Sequence, residues 1–152
     1  MKKIYKSIIK LCVVCAMCMN GGDVFALTDL SGGSVMLTSN TTWTLSGSPY
    51  VVDFVYIDNG AVLTLEPGVI VKFTYGGADN AAQISIEDGA IVANGTEANP
   101  IIFTSYNDDV GGDTNGDGNL SEPAMYDWNG IYFSNTESST MSSTVFNNVQ
   151  IK

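Results

Sequence analysis

Nine consecutive residues, Asp113-Thr114-Asn115-Gly116-Asp117-Gly118-Asn119-Leu120-Ser121, hold the chain's closest and most regular run of oxygen-bearing side chains. Asp113, Asn115 and Asp117 fall at positions 1, 3 and 5 of a calcium-loop pattern, Gly116 at position 6 allows the sharp turn, and Ser121 stands at position 9. The candidate ligand set is Asp113, Asn115, Asp117, Asn119 and Ser121, and the cofactor it suits is calcium, a hard cation that takes oxygen ligands. Position 12, where the pattern uses a bidentate Glu, is Ala124. Glu122, Asp127, Asp108 or Asp109 could supply the missing carboxylate. Seven acids lie between residues 108 and 137 with no cation among them, so a divalent ion would also relieve repulsion. The competing reading is a solvated acidic turn.

Other chemistries find less support. Asp53, Asp58, Glu87 and Asp88 are acids near strands or turns, but glycoside hydrolysis needs two carboxylates placed across a sugar ring, and nothing in the spacing sets such a pair. Proton abstraction from a polyuronate needs a base, and beyond the N-terminal leader the chain offers only Lys72 and Lys152. Lys72 alternates with Val71 and Phe73 and is expected to face solvent. Trp43, Trp128, Tyr126 and Tyr132 could stack on sugar rings, or instead fill corners and cover an end of the fold. No catalytic constellation emerges.

The first 26 residues read as a secretory leader. Lys2, Lys3, Lys6 and Lys10 precede an uncharged apolar run from Leu11 to Met19, and Val24-Phe25-Ala26 places small residues around a cleavage point after Ala26. That run is far shorter than the ~20 residues of a spanning helix. The expected location is therefore secreted or cell surface, with no membrane span once the leader is gone. Losing Lys2, Lys3, Lys6, Lys10 and Asp23 with it leaves 15 acids against Lys72 and Lys152, a net charge of −13. Such a surface repels polyanions and offers no arginine fork for phosphate, which argues against nucleic acid as a partner. All three cysteines lie in the leader, so no disulfide staples the remaining chain.

The elements that must position these residues are short strands. Tyr50–Ile57, Val62–Leu65, Val69–Phe73, Ile84–Ile86, Ile91–Ala93, Ile101–Thr104, Gly130–Phe133 and Thr144–Phe146 are β-branched or aromatic runs separated by Gly-bearing turns. Thr42–Leu45 adds a further alternating stretch. One pattern recurs: Ile57-Asp58-Asn59-Gly60-Ala61-Val62-Leu63 returns 29 positions later as Ile86-Glu87-Asp88-Gly89-Ala90-Ile91-Val92. A repeat of that length means stacked units. It predicts Ile57 over Ile86, Ala61 over Ala90 and Leu63 over Val92, with the excess over a bare coil held by a loop at 76–80. A sandwich or an up-and-down barrel would want longer strands and more hairpin turns.

Leu65-Glu66-Pro67-Gly68-Val69-Ile70-Val71-Lys72-Phe73, Ala93-Asn94-Gly95-Thr96 through Asn99-Pro100-Ile101-Ile102-Phe103-Thr104-Ser105, and Asp127-Trp128-Asn129-Gly130-Ile131-Tyr132-Phe133 resemble the opening coils of bacterial secreted right-handed parallel β-helix repeat proteins. The resemblance covers about residues 40 to 151 and implies an all-β, single-stranded right-handed parallel β-helix of about four or five coils. The expected organisation is a leader at 1–26, an N-terminal cap at 27–50, and coils at 51–152 with an acidic insertion at 106–127, truncated at the C-terminus. Because that family includes adhesin-like surface proteins, polysaccharide-acting enzymes and long proteins of unknown role, the resemblance is specific for fold and unspecific for activity; the expected function is a non-enzymatic secreted or cell-surface scaffold or adhesion module, as the N-terminal part of a longer protein. The alternative is a polysaccharide-binding or polysaccharide-degrading β-helix whose active coils lie beyond residue 152. Expected partners are carbohydrate or cell-surface components, and further copies of the chain associating through an open C-terminal coil.

Overall fold

The computed structural model describes residues 26–74, 82–134 and 144–152. The leader up to Phe25 and the loop expected at 76–80 lie outside the described residues. Strands follow one another as β1 (Thr28–Asp29), β2 (Ser34–Leu37), β3 (Thr41–Trp43), β4 (Tyr50–Val52), β5 (Phe54–Ile57), β6 (Ala61–Leu65), β7 (Ile70–Phe73), β8 (Gln83–Ile86), β9 (Gly89–Asn94), β10 (Ile101–Ser105), β11 (Gly130–Phe133), β12 (Val145–Asn147) and β13 (Val149–Ile151). They form three parallel sheets: β1-β4-β7-β10-β13, then β2-β5-β8-β11, then β3-β6-β9-β12. Each coil gives one strand to each sheet in turn, so the chain is a right-handed parallel β-helix of four such coils, with β13 opening a fifth. Residues 27–50 are built in the same way, since β1, β2 and β3 pair with β4, β5 and β6.

Parallel pairing puts like positions above one another, and the interior is made of columns of identical facing. Val35, Val55, Ile84 and Ile131 form one column, and Leu37, Ile57, Ile86 and Phe133 form the next. Val55, Ile57, Leu63, Val71, Phe73, Ile84, Ile91, Ile101 and Phe103 have no exposed surface. The apolar run Tyr50–Ile57, expected as one strand, is broken at Asp53 into β4 and β5, which belong to different sheets. Its carboxylate makes the corner: one oxygen accepts the backbone N–H groups of Gly32 and Gly33 at 2.6 and 3.0 Å, and the other accepts the Thr74 hydroxyl.

The repeated heptapeptide stacks as expected at its start and not at its end. Ile57 pairs with Ile86, but Ala61 pairs with Gly89 rather than Ala90, and Leu63 with Ile91 rather than Val92. The first corner takes three residues and the second two. Gly60 sits in the first corner at φ 71°, where the left-handed backbone suits glycine. Gly89 instead lies inside β9, where an added Cβ would come within 2.6 Å of Ile57 Cγ2 and 2.7 Å of the Ala61 carbonyl. The one-residue slip keeps every interior side chain facing inward: Leu63 stacks on Ile91 and Leu65 on Ala93.

The first sheet differs from the other two because both its faces are covered. Its outward column runs Val51–Lys72–Thr104, and all three are buried. The cover is the segment between β10 and β11.

Candidate functional site

β10 ends in Thr104 and Ser105, and the insertion at 106–127 folds back from there across the outer face of the first sheet. Its two ends are pinned by carboxylates. Asp108 accepts the Thr104 hydroxyl at 2.7 Å and the Val110 N–H at 3.0 Å, and lies 3.5 Å from the Lys152 ammonium. Burial pushes its pKa up, but those N–H, hydroxyl and ammonium partners outweigh it and hold Asp108 below the ordinary aspartate range. Asp127, buried at the far end, accepts the Ser105 hydroxyl at 2.5 Å, the Ala124 N–H at 3.0 Å and the Asn107 amide at 3.3 Å.

Between these pins stands Lys72, which does not face solvent as its alternation predicts. It points to the outer side of β7, and the insertion lies on top of it. Its ammonium donates to the Gly112 carbonyl at 2.8 Å and the Thr114 hydroxyl at 3.0 Å. Burial lowers its pKa, while the charges of Asp108, Asp109 and Asp113 act in the opposite direction. Tyr106 closes the same spot by donating its hydroxyl to the Thr114 carbonyl at 2.6 Å; burial, then Asp29 and Asp113, raise its pKa.

The structure brings Asp113, Asn115, Asp117 and Ser121 together. Asp113 accepts the backbone N–H groups of Gly116, Asp117 and Gly118 at 2.7, 3.2 and 2.9 Å. Asp117 accepts the Leu120 N–H at 3.0 Å, the Asn115 amide at 3.0 Å and the Ser121 hydroxyl. The Ser121 hydroxyl is the chief cause of a lowered Asp117 pKa; desolvation opposes it, and the Leu120 N–H and Asn115 amide add to it. Asn119 contributes a left-handed backbone at φ 76°, and among the described residues its side chain makes no hydrogen bond to the other four. Of the four carboxylates named for the missing ligand, Asp109 is the one that joins: ligand oxygens of Asp109, Asp113 and Asp117 lie within 4.8 Å of one another. Lys72 is the residue that sequence reasoning misassigned, because no signal inside the insertion points to a cation on a strand some 40 positions earlier.

The other candidates are dispersed. Asp53 makes its corner, the Asp58 carboxylate accepts the Asn59 N–H at 2.7 Å, and Glu87 accepts the Ser85 hydroxyl at 3.2 Å. The Asp88 carbonyl accepts the Gly60 N–H at 2.6 Å. Trp43 is buried, stacked on Tyr50 with centroids 4.7 Å apart, and Trp128 is stacked on Phe73 at 4.2 Å. Tyr126 and Met125 stand exposed beside a shallow groove of about 370 Å³ that also touches Trp128, Ile151 and Lys152. Among the described residues no helix is long and apolar enough to cross a membrane.

Residues 29–119 match the family model of a pectate-lyase-like β-helix domain, a span that runs from β1 through β10 into the insertion. No curated protein and no solved structure matches the chain.

Proposed function

The chain belongs to the pectate-lyase-like β-helix family, and from that premise we propose that it is a non-enzymatic module of the cell exterior, a secreted or surface-held scaffold or adhesion element. The observation that carries this reading is the use to which charged side chains are put. Lys72 is spent on Gly112 and Thr114, Lys152 on Asp108, and the carboxylates of Asp53, Asp108, Asp113, Asp117 and Asp127 on local hydrogen bonds. A base or acid of catalysis must reach a substrate proton, and Lys72 has no exposed surface under the insertion.

A second reading, polysaccharide binding, is favoured by exposed Tyr126 beside the groove at Trp128 and by the family itself. Aromatic faces pack against the apolar faces of sugar rings, and the Asn129 amide lines the same groove, where a hydroxyl would meet it. Calcium at Asp109, Asp113 and Asp117 is proposed as an ordering ligand of the insertion, without a catalytic part. The test incubates the chain with acidic and neutral polysaccharides and follows both co-sedimentation and new chain ends. Binding lost in Tyr126→Ala, with no chain ends released, supports an adhesive module. Steady release of chain ends by the purified chain overturns the non-enzymatic reading.

A further inference from the structure

The second sheet carries an outward column that the fold itself does not use. Val35, Val55, Ile84 and Ile131 point inward, as do Leu37, Ile57, Ile86 and Phe133, so the residues between them point out: Met36, Tyr56, Ser85 and Tyr132 stand over one another in register. We propose that this column is a binding face for an extended, uncharged β-1,4-linked glycan, laid along the helix axis with sugar rings on Tyr56 and Tyr132. The proposal rests on the adhesive reading and names its ligand class. Its face is separate from the groove at Tyr126 and depends on neither end of the helix.

The two tyrosines differ from the aromatic residues that hold the fold. Trp43 stacks on Tyr50, and Phe73 on both Phe103 and Trp128. Among the described residues neither the Tyr56 nor the Tyr132 ring stacks on another, and neither hydroxyl makes a hydrogen bond. Ser85 stands between them, so two strand steps, roughly 10 Å, lead from one tyrosine to the other. Aromatic pairs close at about 4.5 to 7 Å between centroids, and the serine keeps these two rings apart. The same two steps match the repeat of an extended β-1,4-linked chain, in which every second sugar presents the same apolar face. Met36, 57% exposed, continues the track one step beyond Tyr56, and Tyr132 is 48% exposed.

Charge selects an uncharged ligand. Beyond the leader the chain has 15 acids against two lysines, yet β2, β5, β8 and β11 hold no charged residue. The carboxylate at the margin is Glu87, which accepts the Ser85 hydroxyl at 3.2 Å. Both lysines are engaged by the insertion, Lys72 at Gly112 and Thr114 and Lys152 at Asp108. A uronate would meet repulsion there and no cation, whereas a neutral chain meets only rings, a hydroxyl and the Gln83 amide of the neighbouring outward column.

The experiment titrates the purified chain with cellobiose, cellotetraose and cellohexaose by calorimetry, and runs it through gels containing hydroxyethyl cellulose, dextran or polygalacturonate. Hydroxyethyl cellulose should retard the chain, and dextran and polygalacturonate should not. Cellohexaose, which spans both tyrosines, should bind about tenfold more tightly than cellobiose, which reaches one. Tyr56→Ala and Tyr132→Ala, each checked for a native circular dichroism spectrum, should each weaken cellohexaose binding about fivefold, and Tyr56→Phe and Tyr132→Phe should keep most of the affinity because the ring remains. Equal affinity for cellobiose and cellohexaose, or unchanged affinity in both alanine variants, overturns the proposal. Binding lost in Tyr126→Ala alone overturns it and leaves the groove reading standing. Retention on polygalacturonate without binding to the neutral glycans overturns it and leaves the adhesive reading standing.

Discussion

The coils from β4 to β10 and the insertion at 106–127 sit face to face, yet they are held by opposite means. A coil is fixed by columns: each interior residue rests on a similar residue from the turn before, and the ladder hydrogen bonds follow from the stacking. The insertion has no column. Leu120, Met125 and Tyr126 face outward, Leu120 being 88% exposed, and the order of the insertion comes from carboxylates that gather backbone N–H groups. One region therefore draws stability from removing apolar surface from water, the other from charge and hydrogen bonds that water, salt and pH can reach.

Phe103→Ala breaks the comparison on the coil side. The ring is fully buried and its deletion leaves a cavity between turns, so unfolding should cost about 3 to 5 kcal/mol less than in wild type. Leu120→Ala should change stability by less than about 0.5 kcal/mol. Urea midpoints of the two variants check this, and equal shifts would mean that the insertion carries a core of its own.

Lys72→Ala strikes the seam between the regions. It strands the Gly112 carbonyl and the Thr114 hydroxyl without their donor, a loss of about 1 to 3 kcal/mol. Hydrogen exchange should accelerate across 106–127 and remain slow in β5 and β6. Acceleration spread evenly over both regions would show that the insertion and the coils open together.

Gly60 and Gly89 sharpen the comparison within the coils. Gly60→Ala should cost about 1 to 2 kcal/mol through its left-handed backbone, and Gly60→Asn much less, since asparagine tolerates that conformation. Gly89→Ala should cost about 1 to 3 kcal/mol through contact with Ile57 and Ala61, and Gly89→Asn more. Thermal unfolding of the four variants checks the inverted ranking.

The fold was legible because columns are written in the sequence. Runs such as Ile84–Ile86 and Ile101–Thr104 announce strands by composition, and β8 and β10 lie there. The strands missed, β1 and β2, belong to the first coil, where polar residues such as Ser34 hide the period. The slip at Gly89 was not legible, since glycine serves in the one copy as a corner and in the other as a strand residue without room for a side chain. Asp113, Asn115 and Asp117 were legible as a group because their contacts are local. The lysine beneath them was not, because the fold alone joins position 72 to position 112.

The effect expected of calcium is modest, and Lys72 is the reason. Counted in sequence, the acids from 108 to 137 have no cation among them, but the fold sets the Lys72 ammonium near Asp108, Asp109 and Asp113, and Lys152 against Asp108. Much of the repulsion that an ion would relieve is already relieved. With a dissociation constant of about 10⁻⁴ to 10⁻³ M, as in extracellular modules, a few millimolar calcium should raise the melting temperature by roughly 3 to 8 °C. Asp113→Ala combined with Asp117→Ala should abolish the shift, and Lys72→Met should enlarge it. Acid acts in the same direction as the double variant. The folded pKa values of Asp108 and Asp117 lie below their unfolded ones, so their contribution is complete above about pH 4 and is lost as the pH falls through the folded values. The insertion should accordingly loosen in acid before the coils do, with the calcium shift vanishing over the same range. If calcium shifts wild type and the double variant equally, or shifts neither, the loop is an acidic turn for which Lys72 is counter-ion enough.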